Sequence, residues 1–193
     1  MARSPEQSRS TILGAAERLL RKRGEGVPTL AAVAREARCA KGLVNYHFSS
    51  KDSLLAAVAE EMGRRRVDRW QAAFAGRSAD AAIQATWDMI LVEHQEGLAN
   101  GWAALRAETH KLTVRTVNQT IALFAQSLVQ AVAQLLAGMS LRPSVPVAEL
   151  GWYLAAVVQG MELLLDAGGD PSELQGAYAA AWLGILSLAK PGA

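Results

Sequence analysis

Cysteine is nearly absent from this chain of 193 residues, since Cys39 is its one thiol, and an internal disulfide is therefore excluded. A lone cysteine is typical of proteins in a reducing compartment, so we expect a cytoplasmic location. No uninterrupted run of 18 apolar residues occurs, and residues 1–10, MARSPEQSRS, are polar where a signal peptide has its apolar block. We therefore predict neither a membrane span nor a membrane partner.

The motifs that carry enzyme chemistry are also missing. The sequence has no H-E-x-x-H, G-x-S-x-G, P-loop or G-x-G-x-x-G motif. Two acid–histidine pairs, Glu93–His94 and Glu108/His110, invite a metal site, but helix residues one or two apart point to different faces. We predict a protein with no catalytic residue, no metal and no cofactor, and keep a helical enzyme as one alternative.

Proline is scarce and strand-like alternation does not stand out, whereas Ala, Leu and Val dominate the composition and favour helix. Apolar residues recur at helical spacing along the chain, which predicts an all-α fold of about nine helices. The segment GMSLRPSVP, 138–146, is predicted to be a loop. The predicted helices cover 4–24, 29–37, 41–48, 49–75, 79–96, 100–111, 113–137, 147–166 and 172–189.

Charge is distributed unevenly along the chain, although the formal net charge is only +2. Residues 1–70 hold 14 Lys and Arg against 8 Asp and Glu, whereas residues 71–193 hold 6 against 10. A basic front end joined to an acidic, apolar back end indicates a nucleic-acid-binding module attached to another domain.

Helix caps locate the first four helices. Ser4 and Gln7 form an S-x-x-Q capping box, and Thr29 is placed to cap the second helix. Ser49 or Ser50 is expected to cap the fourth helix, with Ser49 and Asp52 matching the S-x-x-D form of the box.

The second and third helices, joined by a tight turn near residues 38–40, make a helix-turn-helix pattern spanning about 29–48. Such a motif inserts its second helix into the major groove of DNA. Here that helix opens the segment KGLVNYHFSSKDSLL, residues 41–55, whose Val44 and Phe48 are spaced to anchor it from below. Lys41 can reach phosphate or guanine, and Asn45, one turn on, can pair with adenine.

The first sixty residues, from ILGAAERLLRKRG through TLAAVAREARCAKGLVNYHFSSKDSLL, resemble the TetR family of bacterial transcription regulators. The stretch LAAVVQGMELLLDAGGDPSEL resembles the family's penultimate helix and its turn into the last helix. The resemblance implies a set of DNA-facing residues. These are Thr29, Lys41, Gly42, Leu43, Asn45, Tyr46, His47 and Lys51.

Four residues depart from the family pattern, and three of them matter for the turn or for DNA recognition. Arg38 replaces the usual Gly of the turn, so a side chain occupies a left-handed position at a cost of about 1 kcal/mol. Ala40 replaces a common Ser and removes a capping hydroxyl. Asn45 replaces a usual aromatic residue, which bears on the operator sequence and not on the fold. Cys39, where Val is usual, is interpreted as a small buried apolar residue.

The resemblance implies a DNA-binding domain over 1–50, a connecting helix over 51–75, and a ligand-binding and dimerisation domain over 76–193. The last two predicted helices of the dimerisation domain are apolar nearly all round. One apolar face packs in the subunit's own bundle, and a twin subunit is expected to cover the other. The residues expected in that interface are Val157, Gly160, Met161, Leu164, Ala177, Ala180, Ala181 and Gly184. The residues expected to line a pocket are Trp87, Met89, Glu93, His94, Trp102, Asn118, Phe124, Trp152, Tyr153 and Gln159.

The function that follows is a homodimeric transcriptional regulator, a repressor released from a palindromic operator by a small, largely hydrophobic effector. This mechanism is implied by the resemblance. A helical adaptor, which binds protein and uses the helix-turn-helix as a scaffold, remains the other alternative.

Overall fold

The computed structural model describes residues 4–22 and 24–192, and within them the chain forms nine helices and one pair of short strands. The expected all-α class with about nine helices is confirmed. The helices are α1 Pro5–Leu20, α2 Leu30–Glu36, α3 Lys41–His47, α4 Lys51–Phe74, α5 Ala79–Gln95, α6 Leu98–Arg106, α7 Lys111–Gly138, α8 Val147–Asp166 and α9 Pro171–Ser187.

The chain divides into two compact units that are not continuous in sequence. The first comprises Met1–Arg64 and Glu96–Thr120, and the second comprises Arg65–Gln95 and Ile121–Ala193. Helices α4 and α7 each contribute one end to the first unit and the other end to the second. The sequence-based division at residues 50 and 75 gives three continuous segments. Each of the observed units instead combines two separate segments of the chain that pack together.

The strand pair was not predicted. Strand β1, Leu141–Pro143, pairs antiparallel with β2, Ala189–Pro191. Strand β1 lies inside the segment expected to be a loop, and β2 begins at the last residue of the predicted final helix. Flanking bonds from Ser144 N to Leu188 O and from Gly192 N to Ser140 O, both 2.7 Å, extend the pairing. Strands of three residues are too short to show an alternating pattern, so only the tertiary fold reveals them.

The first unit has a core built from α1, α2, α3, α6 and the first part of α4. Ser4 forms the predicted capping box with Gln7 at the start of α1. Gly101 in α6 allows close packing, since an added Cβ would lie 3.1 Å from the Met62 side chain. Buried side chains of this core include Ile12, Ala16, Leu20, Val33, Val44, Phe48, Leu54, Val58, Trp102 and Leu105.

The second unit is a helical bundle with an aromatic core. Trp70 and Phe124 meet edge to face at 5.3 Å, and Tyr178 lies between Trp87 and Trp182. The buried Tyr178 hydroxyl donates to Thr86 Oγ1 at 2.9 Å, and burial raises the pKa of that phenol. Such a partner is what a phenol needs when its ring fills a core.

Helices α7 and α8 are long and apolar enough to cross a membrane by length and composition alone. Core helices of soluble proteins meet the same two criteria, so the expectation that the chain has no membrane span is not contradicted. Both helices bury apolar side chains in the bundle, as the core helices of soluble proteins do. Those side chains include Leu128 and Val132 of α7 and Leu154, Val158 and Leu165 of α8.

A buried ionic network lies within the bundle. Arg66 Nε donates to Glu93 Oε2 at 3.1 Å, and Arg66 Nη2 also pairs with Glu162. Glu93 Oε1 accepts from Trp70 Nε1 at 3.2 Å, and the guanidinium of Arg66 lies 4.1 Å from the centre of the Phe124 ring. Burying charges is costly unless they are paired, so these contacts hold α4, α5 and α8 in one arrangement.

Candidate DNA interface

The helix-turn-helix is formed by α2, the turn at residues 38–40 and α3. Thr29 Oγ1 accepts from Ala32 N at 3.1 Å, which confirms the predicted cap of α2. Arg38 has φ +52°, so a side chain does occupy the left-handed turn position. Ala40 is the N-cap of α3 and makes no side-chain capping bond, as expected from the missing hydroxyl.

Helix α3 has one buried and one exposed side. Val44 and Phe48 are 0% and 4% exposed, and they anchor the helix to the core as predicted. Tyr46 is 76% exposed although it is a large aromatic residue. Lys41, Gly42 and Asn45 are exposed beside it, and Leu43 is half-buried. A helix anchored by an apolar pair thus presents a lysine, an amide and a phenol to solvent.

Two other members of the predicted DNA-facing set, His47 and Lys51, are only partly exposed. The Nε2 atom of His47 is buried and has no hydrogen-bond partner among residues 4–22 and 24–192. Its ring meets that of Tyr46 edge-on at 5.1 Å. Lys51 Nζ lies 3.4 Å from Glu108 Oε1 in a half-buried ion pair. These side chains are therefore less available to DNA than those of Lys41 and Asn45.

Helix α1 supports the end of the recognition helix. The guanidinium of Arg9 lies 5.4 Å from the centre of the Phe48 ring, within the range of a cation–π contact. Arg18 of α1 pairs with Glu36 of α2 at 2.9 Å. That bond from Arg18 is the main cause of the lowered pKa of Glu36. Together the contacts tie α1 to the two helices of the motif.

The start of α4 differs from the expected capping box. Ser50 Oγ accepts from Ser53 N at 3.0 Å, and Ser50 N donates to Ser53 Oγ at 3.1 Å. Ser50 is therefore the cap, whereas the predicted box of Ser49 with Asp52 is wrong. The reason is that the carboxylate of Asp52 has another partner, at the start of α7.

Asp52 caps α7 from a distance of sixty residues in sequence. Its Oδ1 accepts from Thr113 N at 2.9 Å and from Thr113 Oγ1 at 2.5 Å, and its Oδ2 accepts from Leu112 N at 3.4 Å. The hydrogen bond from the Thr113 side chain is the main cause of the lowered pKa of Asp52. A carboxylate at a helix N-terminus satisfies free N–H groups and favours the helix dipole. The residue next to Lys51 thus fixes α4 to α7 within the first unit.

The predicted pocket residues are dispersed. Trp102 and Asn118 belong to the first unit, and the other eight belong to the second. Glu93 is occupied by Arg66, and His94 Nδ1 lies 3.0 Å from Asp166 Oδ1. In the second unit Trp87 and Phe124 are buried, Met89 and Gln159 are half-buried, and Trp152 and Tyr153 are exposed. Within the described residues, no three His, Cys, Asp or Glu side chains cluster as metal ligands.

Two pockets open on the surface of the second unit among the described residues. One, of about 440 Å³, lies between α8 and α9 and is mostly apolar. Its lining residues are Val145, Glu149, Leu150, Tyr153, Gly184, Ser187 and Leu188. The other, of about 390 Å³, lies where α4 ends, α5 begins and α7 ends. Only Tyr153 of the predicted set lines the first pocket, and none of it lines the second.

Helices α8 and α9 carry an exposed apolar face in addition to the face that they bury. Trp152, Leu163 and Leu183 are 50%, 71% and 67% exposed, and Tyr153 and Leu164 are also exposed. Of the predicted interface residues, Leu164, Ala177 and Ala180 are exposed, Val157, Gly160 and Gly184 are half-buried, and Met161 and Ala181 are buried. Exposed apolar patches of this kind mark interaction surfaces.

The sequence and the fold of this chain are similar to those of known proteins. Residues 12–58 match the sequence model described as "Bacterial regulatory proteins, tetR family". The match covers the end of α1, the helix-turn-helix and the start of α4. No curated protein sequence matches the chain significantly.

Solved structures match nearly the whole chain at low sequence identity. A TetR-family regulator from Mesorhizobium loti is 15% identical, with a TM-score of 0.80 over 97% of this chain and 99% of its own. The reduced form of NemR from E. coli is 18% identical, with a TM-score of 0.78 over 92% of this chain and 97% of its own. A TetR-family regulator from Rhodococcus is 21% identical, with a TM-score of 0.76 over 92% of this chain and 97% of its own.

The chain thus has the helix-turn-helix and the all-helical fold of a bacterial transcription regulator. The resemblance to the TetR family is confirmed, since residues 12–58 match its amino-terminal domain and the fold is that of TetR-family structures.

The Asp52 cap predicts a pH-dependent stability. The pKa of Asp52 is lower in the folded chain than in the unfolded chain, where it is about 3.9. The ionised carboxylate therefore stabilises the fold at pH values above the unfolded pKa, and this stabilisation is lost as the pH falls through the folded pKa. We expect Asp52→Ala to lower the free energy of unfolding by about 1 kcal/mol at pH 7. Urea denaturation of both proteins should show this difference shrinking at pH 3. Glu60→Ala, an exposed change in the same helix, is the control, and an equal loss at both pH values would contradict the assignment.

Proposed function

We propose that the chain is a ligand-responsive regulator that binds a palindromic operator as a homodimer, most simply as a repressor, in the cytoplasm. The observation that supports this best is the polar, solvent-facing side of α3, held on the buried Val44 and Phe48. Lys41 and Asn45 have the chemistry to contact guanine or phosphate and adenine, and Gly42 lets the backbone approach closely. Thr29, Leu43, Tyr46, His47 and Lys51 complete the proposed interface.

A functional helix-turn-helix exposes its polar residues, and a scaffolding one does not need to. Tyr46 is the informative case, because its ring stays 76% exposed apart from its edge-on contact with His47, and this exposure costs apolar burial. This exposure favours DNA binding over the adaptor alternative. The family model and the solved structures named above describe regulators, so they give no support to the enzyme alternative.

Selection of bound duplexes from a random pool tests the proposal directly, with a palindrome as the expected product. On the selected duplex, Lys41→Ala should weaken binding and relax base preference, whereas Lys51→Ala should weaken all sequences alike. Each lost phosphate contact should reduce the slope of log affinity against log salt by about 0.9. Fluorescence anisotropy between 50 and 300 mM salt measures both. Affinity and slope unchanged in both variants would contradict the proposed interface.

Dimerisation through α8 and α9 follows from their second apolar face. A two-fold axis through this face would bring the exposed Trp152, Leu163 and Leu183 onto the same surface of a twin subunit. Such a dimer would also present two recognition helices to successive major grooves, about 34 Å apart. The eight interface residues predicted from the sequence, from Val157 to Gly184, lie on these two helices.

A charge placed in this face should separate the subunits. We expect Leu163→Asp with Leu183→Asp to give a monomer in multi-angle light scattering. Binding to a palindrome should weaken at least about tenfold, because a monomer loses the avidity of two linked recognition helices. Leu123→Asp, at a leucine of α7 that is 57% exposed, is the matched control and should remain a dimer. A double variant that stays dimeric would place the interface elsewhere.

The effector is proposed to be small and largely hydrophobic. The second unit supplies indole and phenyl groups at Trp87, Phe124 and Trp152, with Tyr153 at the mostly apolar pocket between α8 and α9. Of the other residues predicted to line a pocket in the second unit, His94 and Gln159 would fix the orientation of the effector and Met89 would add apolar surface. Release of DNA needs an effector that prefers the non-binding state by several kcal/mol.

The expected outcome of a thermal-shift screen of small apolar compounds is a ligand that raises the unfolding midpoint and lowers operator affinity. Titration of the compound into the protein–duplex complex measures the second effect. Ligands that bind without changing operator affinity would remove the release mechanism and leave the DNA-binding proposal intact.

A further inference from the structure

Arg38 is the unusual residue of the helix-turn-helix. It lies in the turn between α2 and α3, with φ +52°, a conformation that L side chains adopt only at a cost. Five of the seven residues with positive φ in the described chain are glycines, so glycine is the usual solution here. Backbone strain that a glycine would remove is typically kept at functional sites.

The side chain of Arg38 has no role in holding the turn. It is exposed, and the part of the chain that the structure describes offers its guanidinium neither a hydrogen bond nor an ion pair. The nearby acid, Glu36, is paired with Arg18 instead, and Arg38 only adds to the field that lowers the pKa of Glu36. The turn is closed by backbone bonds from Arg38 N to Arg35 O and from Cys39 N to Ala34 O. Glycine would make the same bonds.

The position of Arg38 in the chain suggests what its unpaired charge binds. Arg38 stands two residues before Ala40, the N-cap of α3, and three before Lys41, which opens the exposed side of the recognition helix. When the start of a recognition helix enters the major groove, the chain just before it passes the phosphates at the groove edge. A guanidinium there matches phosphate oxygens in charge and in two-pronged geometry.

We propose that Arg38 is a further DNA-contacting residue, which binds a backbone phosphate beside each half-site and carries no base specificity. This inference rests on the proposed function, and it deepens it by adding a residue outside the expected DNA-facing set. The left-handed backbone at this position is then the cost of placing a cation where a glycine would be more stable.

Three substitutions separate charge from backbone strain. Arg38→Gly removes both, so it should raise the midpoint of thermal unfolding by about 2–4 °C and weaken DNA binding. Arg38→Gln removes the charge and keeps the side chain, so it should weaken binding with no gain in stability. Arg38→Lys keeps the charge and should retain most of the salt dependence.

Binding is measured by fluorescence anisotropy on the selected duplex and on an unrelated duplex. At 0.1 M salt, Arg38→Gln should weaken both complexes at least about fivefold, and the salt slope should fall by about 0.9 for each subunit bound. Arg142→Gln, which removes the same charge from an exposed position in β1, is the control and should leave the slope unchanged.

The outcomes distinguish this inference from the function that it rests on. If wild type selects a palindrome and Arg38→Gln binds it with wild-type affinity and slope, Arg38 is not a phosphate contact and the regulator proposal stands. A loss confined to one base position would also overturn the phosphate assignment. Wild type that ignores every duplex at low salt would end both.

Discussion

The burial of Val44 and Phe48 is the contact on which the DNA-binding account depends. These two side chains hold α3 on α1 and α2, and the helix can be oriented in only one way while both are covered. The exposed positions are then fixed by helical geometry, which places Lys41 and Asn45 one turn apart on the free side. The seven-residue helix is too short to be stable alone, so the packing creates the reading surface.

The polar side chains at the start of α4 also have defined partners. Ser50 and Ser53 close its first turn, which leaves Asp52 free to cap α7, while Lys51 beside it pairs with Glu108. The segment that follows the recognition helix is thus fastened by polar bonds within the first unit. In the second unit, the ionic network of Arg66, Glu93 and Glu162 does the same for the bundle. Polar bonds with defined geometry favour one arrangement among those that apolar packing alone would tolerate.

Much of the fold is predictable from local signals. The caps at Ser4 and Thr29, the apolar pair of α3 and the left-handed Arg38 follow from residues close together in the chain. The box at Ser49 was wrong because Thr113, sixty-one residues away, competes for the Asp52 carboxylate. The partners of Glu93 and His94 were equally hidden, since Arg66 and Asp166 come from other helices. Sequence spacing ranks exposed faces well, but it does not show which buried polar groups will meet.

The central claim is that two copies of α3 read successive major grooves of one duplex. Methylation interference at guanine N7 on the selected duplex tests it most directly, because N7 is exposed in the major groove. The account predicts two patches of interference on one face of the DNA, related by the palindrome and centred about 10 base pairs apart. Binding that tolerates methylation at every guanine of such a site, or one uninterrupted patch without symmetry, would contradict it.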